Sequence, residues 1–143
     1  MRSALAITAL LGLVGGGLAG GGLAAAPSAV ADPPLHHVRY TVFADGPIWA
    51  RIYYRDTEPA VFSDYSHNPY VFSPRADADL APDRPWVLET ALADPEMWAM
   101  VTVQSGESPD YPTPTFRCEL AVDGVVVKTG SGPKGALCSL RNW

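Results

Sequence analysis

The chain has 143 residues, a formal net charge of −5 and a hydrophobic fraction of 48%. It contains no run of basic residues, so nucleic acid and anionic lipid headgroups are poor partners for it. Fourteen prolines, placed mostly between apolar runs, argue against a helical bundle.

The N-terminal segment has the layout of a secretory signal peptide. Arg2 precedes an uncharged run at 3–31 that ends in the small-x-small sequence AVA. An uncleaved membrane anchor is the alternative, because about 20 apolar residues span a bilayer. The run contains seven glycines, each about 1 kcal/mol worse than alanine in a helix, which favours cleavage. We therefore predict a signal peptide (or membrane anchor) at 1–31 and one domain at 32–143, secreted or in the cell envelope and extracytoplasmic.

Short segments rich in β-branched and aromatic residues follow one another along the rest of the chain. Turn signals separate them about every 8 to 12 residues. We predict an all-β fold, an immunoglobulin-like antiparallel β-sandwich of about seven strands, with a small closed barrel as the alternative. The predicted strands are Val38–Phe43, Ile48–Tyr54, Arg75–Ala81 (an exposed edge), Pro85–Ala93, Met97–Val103, Phe116–Val122, Val125–Thr129 and Leu137–Arg141.

Asp123-Gly124 lies between two of these strands. A two-residue Asp-Gly loop favours a type I′ hairpin turn, because glycine accepts positive φ. This turn fixes the register of the hairpin and places Cys118 on the core-facing side. The predicted pairs are Val122–Val125, Leu120–Val127 and Cys118–Thr129 on the core face, and Glu119–Lys128 on the solvent face.

Cys118 and Cys138 are the two cysteines of the chain. An even cysteine count in a short exported chain indicates a disulfide bond. A zinc site would need three or four ligands at close spacing, and a redox pair is usually C-x-x-C. We therefore predict a Cys118–Cys138 disulfide, whose loop closure stabilises the fold by about 3 kcal/mol.

The polar segment 57–82 is rich in aromatic residues. Loops longer than about 12–15 residues in compact domains are often functional or disordered, and the aromatic content argues against disorder. The segment either packs over one end of the sandwich or forms a surface that binds a ligand or partner. The residues of this candidate surface are Phe62, Tyr65, His67, Tyr70 and Phe72.

Other polar groups have simpler interpretations. His36 and His37 suit a solvated pair, with weak transition-metal binding as the alternative. Asp77 and Asp79 share a strand face, but calcium usually recruits more oxygen ligands. The sequence has no G-x-S-x-G elbow and no glycine-rich phosphate loop. We expect no catalytic residue, metal or cofactor, and hence a protein that is not an enzyme; a triad assembled in space is the remaining alternative.

A series of short motifs resembles the extracytoplasmic domain of the mycobacterial membrane protein small family, MmpS. No single motif is specific, but their order and spacing match the family over most of the chain from residue 38 onward. The motifs are VRYTV at 38–42, ARIYYRD at 50–56, Pro85-Trp86, AMVTVQ at 99–104 and CELAVDGVV at 118–126, followed by Cys138.

The resemblance implies an immunoglobulin-like sandwich held by the cysteine bridge, with no catalytic residue. It also implies an accessory role beside a large resistance-nodulation-division-type exporter of the MmpL type, with that exporter or a hydrophobic lipid or siderophore cargo as partner. Family members usually carry one N-terminal membrane helix, so membrane contact is expected only if the leader is uncleaved. Segments 57–82 and 105–115 are longer than the family pattern. The alternative is a freely secreted immunoglobulin-like binding or adhesion module with no transporter partner.

Overall fold

The computed structural model describes residues 26–106 and 114–142. The chain divides into the units Met1–Ala31 and Asp32–Trp143. Most of the predicted signal segment lies outside the described residues, and the described part, 26–31, is exposed and has no helix or strand. Within the described ranges, no helix has both the length and the hydropathy that a membrane span requires.

The described residues of the second unit contain eight strands. They are β1 (His36–Ala44), β2 (Ile48–Tyr54), β3 (Arg75–Leu80), β4 (Trp86–Leu92), β5 (Met100–Gln104), β6 (Phe116–Val122), β7 (Val125–Gly132) and β8 (Gly135–Ser139). They form two four-stranded antiparallel sheets, ordered β4-β1-β6-β7 and β3-β2-β5-β8. The prediction of an all-β sandwich is confirmed. The closed-barrel alternative is wrong, because the strands form two separate sheets. β3 pairs only with β2 and is an edge strand, as predicted.

The core lies between the two sheets because each central strand alternates apolar and polar side chains. On β1, Val38, Tyr40 and Val42 are buried while His37 and Arg39 are exposed. This period of two places every second residue on the inner face of a strand. The core side chains from the other strands include Ala50, Ile52, Leu80, Leu92, Val101, Val103, Phe116 and Leu120.

The disulfide bond joins the two sheets. Cys118 of β6 and Cys138 of β8 are bonded, with their Cα atoms 6.0 Å apart and both side chains fully buried. The predicted pairing is therefore confirmed. Because β6 belongs to the first sheet and β8 to the second, the bond crosses the core and links two strands of different sheets.

The β6–β7 hairpin has the predicted turn but a different register. Asp123 and Gly124 have φ angles of 50° and 83°, as a type I′ turn requires, and Val122 pairs with Val125. Beyond Ala121 the register shifts by one residue, because a β-bulge inserts Val127 as an extra residue in β7. The predicted pairs of Leu120, Cys118 and Glu119 are therefore wrong. The observed pairs are Leu120–Lys128, Glu119–Thr129 and Cys118–Gly130.

The bulge also changes which part of β7 faces β8. Gly130 lies opposite Cys118, and a Cβ atom added at Gly130 would be 2.5 Å from the Leu137 carbonyl oxygen and 3.3 Å from the Cys118 Sγ. Only glycine allows so close an approach of the two strands at this point. The prediction that Val125 and Val127 of β7 face the core is wrong, because these two side chains are 64% and 42% exposed.

In the part of the chain that the structure describes, three short helices lie between strands: α1 (Phe62–His67), α2 (Pro69–Phe72) and α3 (Pro95–Trp98). The first two occupy the aromatic segment between β2 and β3. The third corrects the predicted strand Met97–Val103, whose first two residues end α3 instead. The helix begins here because the Asp94 side chain accepts a hydrogen bond from the Met97 backbone N–H at 3.1 Å and Pro95 occupies its first turn.

One end of the sandwich collects all three helices, and we call it the aromatic end. β1 begins there, since His36 pairs with Leu92 at the end of β4. β2 finishes there too, because the carbonyl of Arg55, the residue after β2, accepts a hydrogen bond from Tyr40 of β1. The Asp123 turn lies at the same end, where His36 contacts its carboxylate.

Candidate functional site at the aromatic end

Arg55 is the buried centre of the aromatic end. Its side chain has no exposed surface although it carries a charged guanidinium. Its backbone N–H donates to the Met100 carbonyl at 3.0 Å, and its carbonyl accepts from the Tyr40 hydroxyl at 2.7 Å. The Met100 N–H donates in turn to the Tyr40 oxygen at 3.3 Å. Tyr40 therefore joins β1 of the first sheet to β2 and β5 of the second through two buried hydrogen bonds.

Aromatic rings surround the Arg55 guanidinium. The Arg55 Cζ lies 4.3 Å from the ring centroid of Tyr65 in α1 and 5.3 Å from that of Trp98 in α3. Both distances are in the range of cation–π attraction, which is strongest where the cation is desolvated. Burial lowers the pKa of the Arg55 guanidinium, and a hydrogen bond with Tyr65 opposes that shift. An arginine stays charged because its ordinary pKa is so high.

The neighbouring hydroxyl of Tyr40 also responds to burial. Desolvation raises the pKa of Tyr40 far above its ordinary value, while the hydrogen bond from Met100 and the charge of Arg55 act in the opposite direction. The hydroxyl is therefore protonated at any physiological pH and serves as the donor to the Arg55 carbonyl. The hydrogen bond between Tyr40 and Arg55 therefore links the two sheets.

Phe62 and Arg141 form an outer layer over this centre. The Phe62 ring stacks on Trp98 at 6.4 Å between centroids and lies 5.8 Å from Tyr65. The Arg141 guanidinium lies 5.2 Å from the Phe62 centroid and donates to the Met97 sulfur at 3.2 Å. The aromatic rings therefore lie between two guanidinium groups, that of Arg55 on the core side and that of Arg141 on the outer side.

The five residues of the predicted binding surface do not form one surface. Tyr65 packs on Arg55 and Trp98, and Phe72 is half-buried. His67 is exposed, with its Nδ1 2.7 Å from the Ser63 carbonyl in the same helix. Phe62 is 52% exposed and Tyr70 is 86% exposed. Packing over one end therefore describes α1, whereas ligand contact stays a prediction whose accessible members are Phe62, His67 and Tyr70.

The sequence reasoning missed Arg55, Trp98 and Arg141. Arg55 directly follows an apolar strand, where a charged residue usually marks the exit to solvent. Trp98 was assigned to a strand, and only the Asp94-Pro95 pair signalled a helix start there. No pattern in the sequence indicated that residues 55, 65, 98 and 141 meet, because they are separated by many residues and belong to different elements.

Clefts adjoin the aromatic end. One of about 330 Å³ lies beside the Asp123 turn, and its lining includes His36, Asp94, Glu96, Asp123, Val127 and Leu140. A second of about 320 Å³ is lined by Asp94, Glu96, Met97 and Arg141. Three carboxylates line these clefts, but the described residues contain no group of three or more histidine, cysteine or acidic side chains placed to hold a metal ion.

His36 and His37 begin β1 and hold the Asp123 turn. The His36 Nδ1 lies 2.7 Å from one Asp123 carboxylate oxygen, and the His37 backbone N–H donates to the other at 2.9 Å. The Asp123 N–H donates back to the His37 carbonyl at 2.8 Å. The hydrogen bond with His36, followed by that from His37, lowers the pKa of the Asp123 carboxyl. These histidines therefore have a structural contact that the sequence did not indicate.

A groove of about 410 Å³ crosses the outer face of the first sheet. Its walls carry apolar side chains such as Phe43 and Val87, and its charges are paired: Arg39 lies 3.8 Å from Glu89. On the second sheet, the Asp77 carboxylate lies 3.2 Å from Arg75, so it already has a cationic neighbour.

The fold and this end together define a class of protein: an all-β sandwich with an inter-sheet disulfide and a helical, aromatic end. The family model described as Rv2576c beta-sandwich domain matches residues 40–138. The chain belongs to this family.

Two similar proteins are "Uncharacterized protein Rv2576c" of Mycobacterium tuberculosis (strain ATCC 25618 / H37Rv) and "Uncharacterized protein Mb2606c" of Mycobacterium bovis. Each is 34% identical over 115 residues, which cover 80% of this chain and 73% of the relative. The matched family is the β-sandwich family, and the finer likeness to MmpS goes beyond what these matches show.

Proposed function

We propose that this protein is an exported, non-enzymatic module of the cell envelope that binds a partner through its aromatic end. The buried Cys118–Cys138 bond supports export, because disulfides persist outside the reducing cytoplasm. The sandwich supports a binding role. The disulfide and the Tyr40–Arg55 hydrogen bond join its two sheets, so the surface residues lie on a stable scaffold.

One observation carries the binding role. The segment between β2 and β3, which contains α1 and α2, exposes several large apolar side chains. Tyr70 and Val71 of α2 are 86% and 66% exposed, and Val61 and Phe62 at the start of α1 are 55% and 52% exposed. Exposed apolar side chains grouped on one segment indicate an interaction site more often than scattered single residues do. We call Val61, Phe62, Tyr70 and Val71 the exposed patch.

The likeness to MmpS supports a finer role, that of an accessory subunit beside an exporter of the MmpL type. The motifs of that likeness coincide with ordered strands: VRYTV lies in β1, AMVTVQ overlaps β5 and CELAVDGVV forms the β6–β7 hairpin. The exposed patch lies in the segment that is longer than the family pattern. In this proposal the patch is the part of the surface that adapts the common sandwich to its own partner or cargo.

Release into the medium as a free binding or adhesion module is the second candidate. The seven glycines of the N-terminal run favour it, because they weaken a membrane helix and suit a cleaved leader. The two candidates share the sandwich and the patch. They differ in where the protein stays after export.

The test is expression of the full chain in a mycobacterial host, followed by fractionation, N-terminal sequencing and cross-linked affinity purification. The accessory role predicts that the protein stays in the envelope and that a large exporter is captured. A mature N-terminus at Asp32 in the medium, with no exporter captured, supports the secreted module. Reduced cysteines in cytoplasmic protein would overturn export itself.

Matched variants test the patch. Replacing Tyr70 and Val71 together with serine should abolish capture of the partner. Replacing Val87 and Leu137 with serine is the control, because these side chains are 41% and 50% exposed and lie on the outer faces of β4 and β8. Equal loss of capture in both pairs would contradict the assignment of the patch.

A further inference from the structure

We propose that the groove on the outer face of the first sheet binds a neutral oligosaccharide. The groove has a volume of about 410 Å³, and its lining comes from β1, β4, β6 and β7. No residue of the exposed patch lines it. The proposal therefore goes beyond the proposed function, because it assigns a second ligand to a different face of the sandwich.

Strand register brings the groove residues together in rows that run across the sheet. Thr41 of β1 pairs with Val87 of β4 on one side and with Glu119 of β6 on the other. Residues paired in this way project from the same face of the sheet. The side chains of β1 that line the groove, from His37 to Phe43, extend over about 20 Å. Two rows of the groove are Glu89–Arg39–Ala121–Val126 and Val87–Thr41–Glu119.

Thr41 forms the floor of the groove and provides the main argument for a ligand. It lines the groove and is only 9% exposed. Among residues 26–106 and 114–142, its hydroxyl has no hydrogen-bond partner. Buried polar groups in folded proteins are hydrogen-bonded in the large majority of cases. A hydroxyl that lines a groove and is unpaired within the described fold therefore indicates a partner bound in the groove.

The charged groups of the groove are balanced in sign, which favours an uncharged ligand. Arg39 lies 3.8 Å from Glu89, and Arg117 lies 3.4 Å from Glu119. An ionic ligand would therefore meet a group of its own sign beside each group of opposite sign. Ion pairs near the surface are weak, so these carboxylates and guanidinium groups can bind a ligand at little cost. A sugar hydroxyl both donates and accepts, so it complements carboxylate, guanidinium and threonine hydroxyl alike.

The apolar part of the groove suits the C–H faces of sugar rings. Phe43, Val87 and Val126 belong to the lining. The Arg117 guanidinium lies 4.2 Å from the Phe43 ring centroid and also contacts Glu119. Arg117 therefore holds an apolar and a polar group of the site in position before a ligand binds, which lowers the cost of binding. Small-ligand sites combine such apolar lining with a few polar groups that set the orientation.

An extended peptide fits this face less well. β1 lies between β4 and β6, so the backbone of the groove floor is paired on both sides within the sheet. A bound peptide strand gains its affinity from main-chain hydrogen bonds at an exposed sheet edge. Here the ligand meets mainly side chains, and an oligosaccharide presents hydroxyls to them.

The experiment measures the binding of defined sugars to the exported protein, expressed as the full chain. The protein is tested against immobilised neutral tetrasaccharides of glucose, mannose, galactose and N-acetylglucosamine, with tetragalacturonate and a chitosan tetramer as charged comparisons. Isothermal titration calorimetry then gives the Kd of the tightest neutral ligand. Thr41→Val removes the floor hydroxyl and keeps the shape of the side chain. Thr129→Val is the matched control, because Thr129 pairs with Glu119, is exposed and does not line the groove.

We expect a neutral tetrasaccharide to bind, Thr41→Val to weaken its binding about tenfold, and Thr129→Val to leave it unchanged. Both variants should keep the wild-type melting temperature, because the Thr41 hydroxyl loses no partner within the described fold. Ala121→Trp, which fills the groove, should abolish binding, whereas Leu137→Trp, on the outer face of β8, should not. A higher salt concentration should leave the Kd unaltered, since the ligand is uncharged.

Several results would overturn the proposal. If no neutral tetrasaccharide binds, water is the partner of the Thr41 hydroxyl. Preference for a charged tetrasaccharide that disappears in salt shows an ionic site, and binding that survives Ala121→Trp occurs elsewhere on the molecule. Equal affinity of Thr41→Val and Thr129→Val shows that the floor hydroxyl does not contact the sugar. A lower melting temperature in Thr41→Val shows that the hydroxyl is bonded within the fold. Partner capture at the aromatic end is independent of all these results.

Discussion

The two sheets are joined at two places by different chemistry. Beside the C-terminal strands, a disulfide bond and a glycine-mediated close approach connect β6 and β7 with β8. At the aromatic end, Tyr40, Arg55 and Trp98 connect β1 with β2, α3 and β5 by hydrogen bonds and ring contacts. We call these the covalent junction and the aromatic junction.

The difference shows what each junction tolerates. The covalent junction requires oxidised cysteines and a glycine at position 130. It is therefore either formed or broken. The aromatic junction depends on burying a cation among rings, so its strength changes with each contact. Because Phe62 of the exposed patch stacks on Trp98, the proposed binding surface lies next to the part of the fold whose stability a substitution can change in small steps.

The largest effect is expected from Trp98→Ala, which removes the ring between Arg55 and Phe62. Trp98 is 8% exposed, and truncation of a buried aromatic costs about 3–5 kcal/mol. Chemical unfolding measures the change. Trp49→Ala is the control, since Trp49 is 45% exposed on β2 and should cost far less. Similar losses in the two variants would show that the aromatic junction contributes nothing particular.

Cys118→Ser breaks the covalent junction. Removal of a native disulfide from a small exported domain typically costs about 2–5 kcal/mol. Thermal melting with and without reductant checks this, and the double variant Cys118→Ser with Cys138→Ser controls for the free thiol. Superimposable melting curves in oxidised and reduced wild-type protein would contradict the stabilising role of the bond.

Gly130→Ala tests the close approach at the covalent junction. The added Cβ would meet the Leu137 carbonyl at 2.5 Å, and forced displacement of packed backbone costs about 1–3 kcal/mol. Gly106→Ala is the matched control, since a Cβ there meets no atom of the described residues within 4 Å. Unchanged stability of Gly130→Ala would mean that β7 and β8 separate without cost.

Tyr40→Phe removes one hydroxyl from the aromatic junction and leaves the ring. The Arg55 carbonyl loses its donor and the Met100 N–H loses its acceptor, which should cost about 1–3 kcal/mol. Tyr53→Phe is the control, because Tyr53 is half-exposed. The denaturation midpoints of the wild type and the two variants are compared. Equal midpoints for Tyr40→Phe and the wild type would show that these hydrogen bonds do not stabilise the fold.

The smallest effect is expected within one sheet, where His36 and His37 hold the Asp123 turn without joining the sheets. Their hydrogen bonds lower the pKa of Asp123, so the stabilisation is complete above the ordinary carboxyl pKa of about 4 and is lost as the pH falls through the lowered value. Asp123→Asn should lower the melting temperature slightly near neutral pH and converge with the wild type in acid. A difference that grows in acid would contradict the assignment.

Much of the fold follows from local patterns. The alternation in β1, the extent of β2 and the Asp-Gly turn follow from side-chain period and backbone preference, which depend only on near neighbours. The candidate site was predictable only as an aromatic segment. Tyr65 packs inward, whereas Tyr70 is exposed. This difference depends on the contact of Tyr65 with Trp98, two residues far apart in the chain.

By itself, then, the sequence determined an all-β sandwich with a disulfide, because strand period, turn chemistry and cysteine count are local or compositional properties. The tertiary structure alone decided the bulge at Val127, the closeness of Gly130 to β8 and the burial of Arg55 among aromatic rings. Each of these depends on contacts between different elements, and a period of two along one strand carries no information about the element that lies opposite.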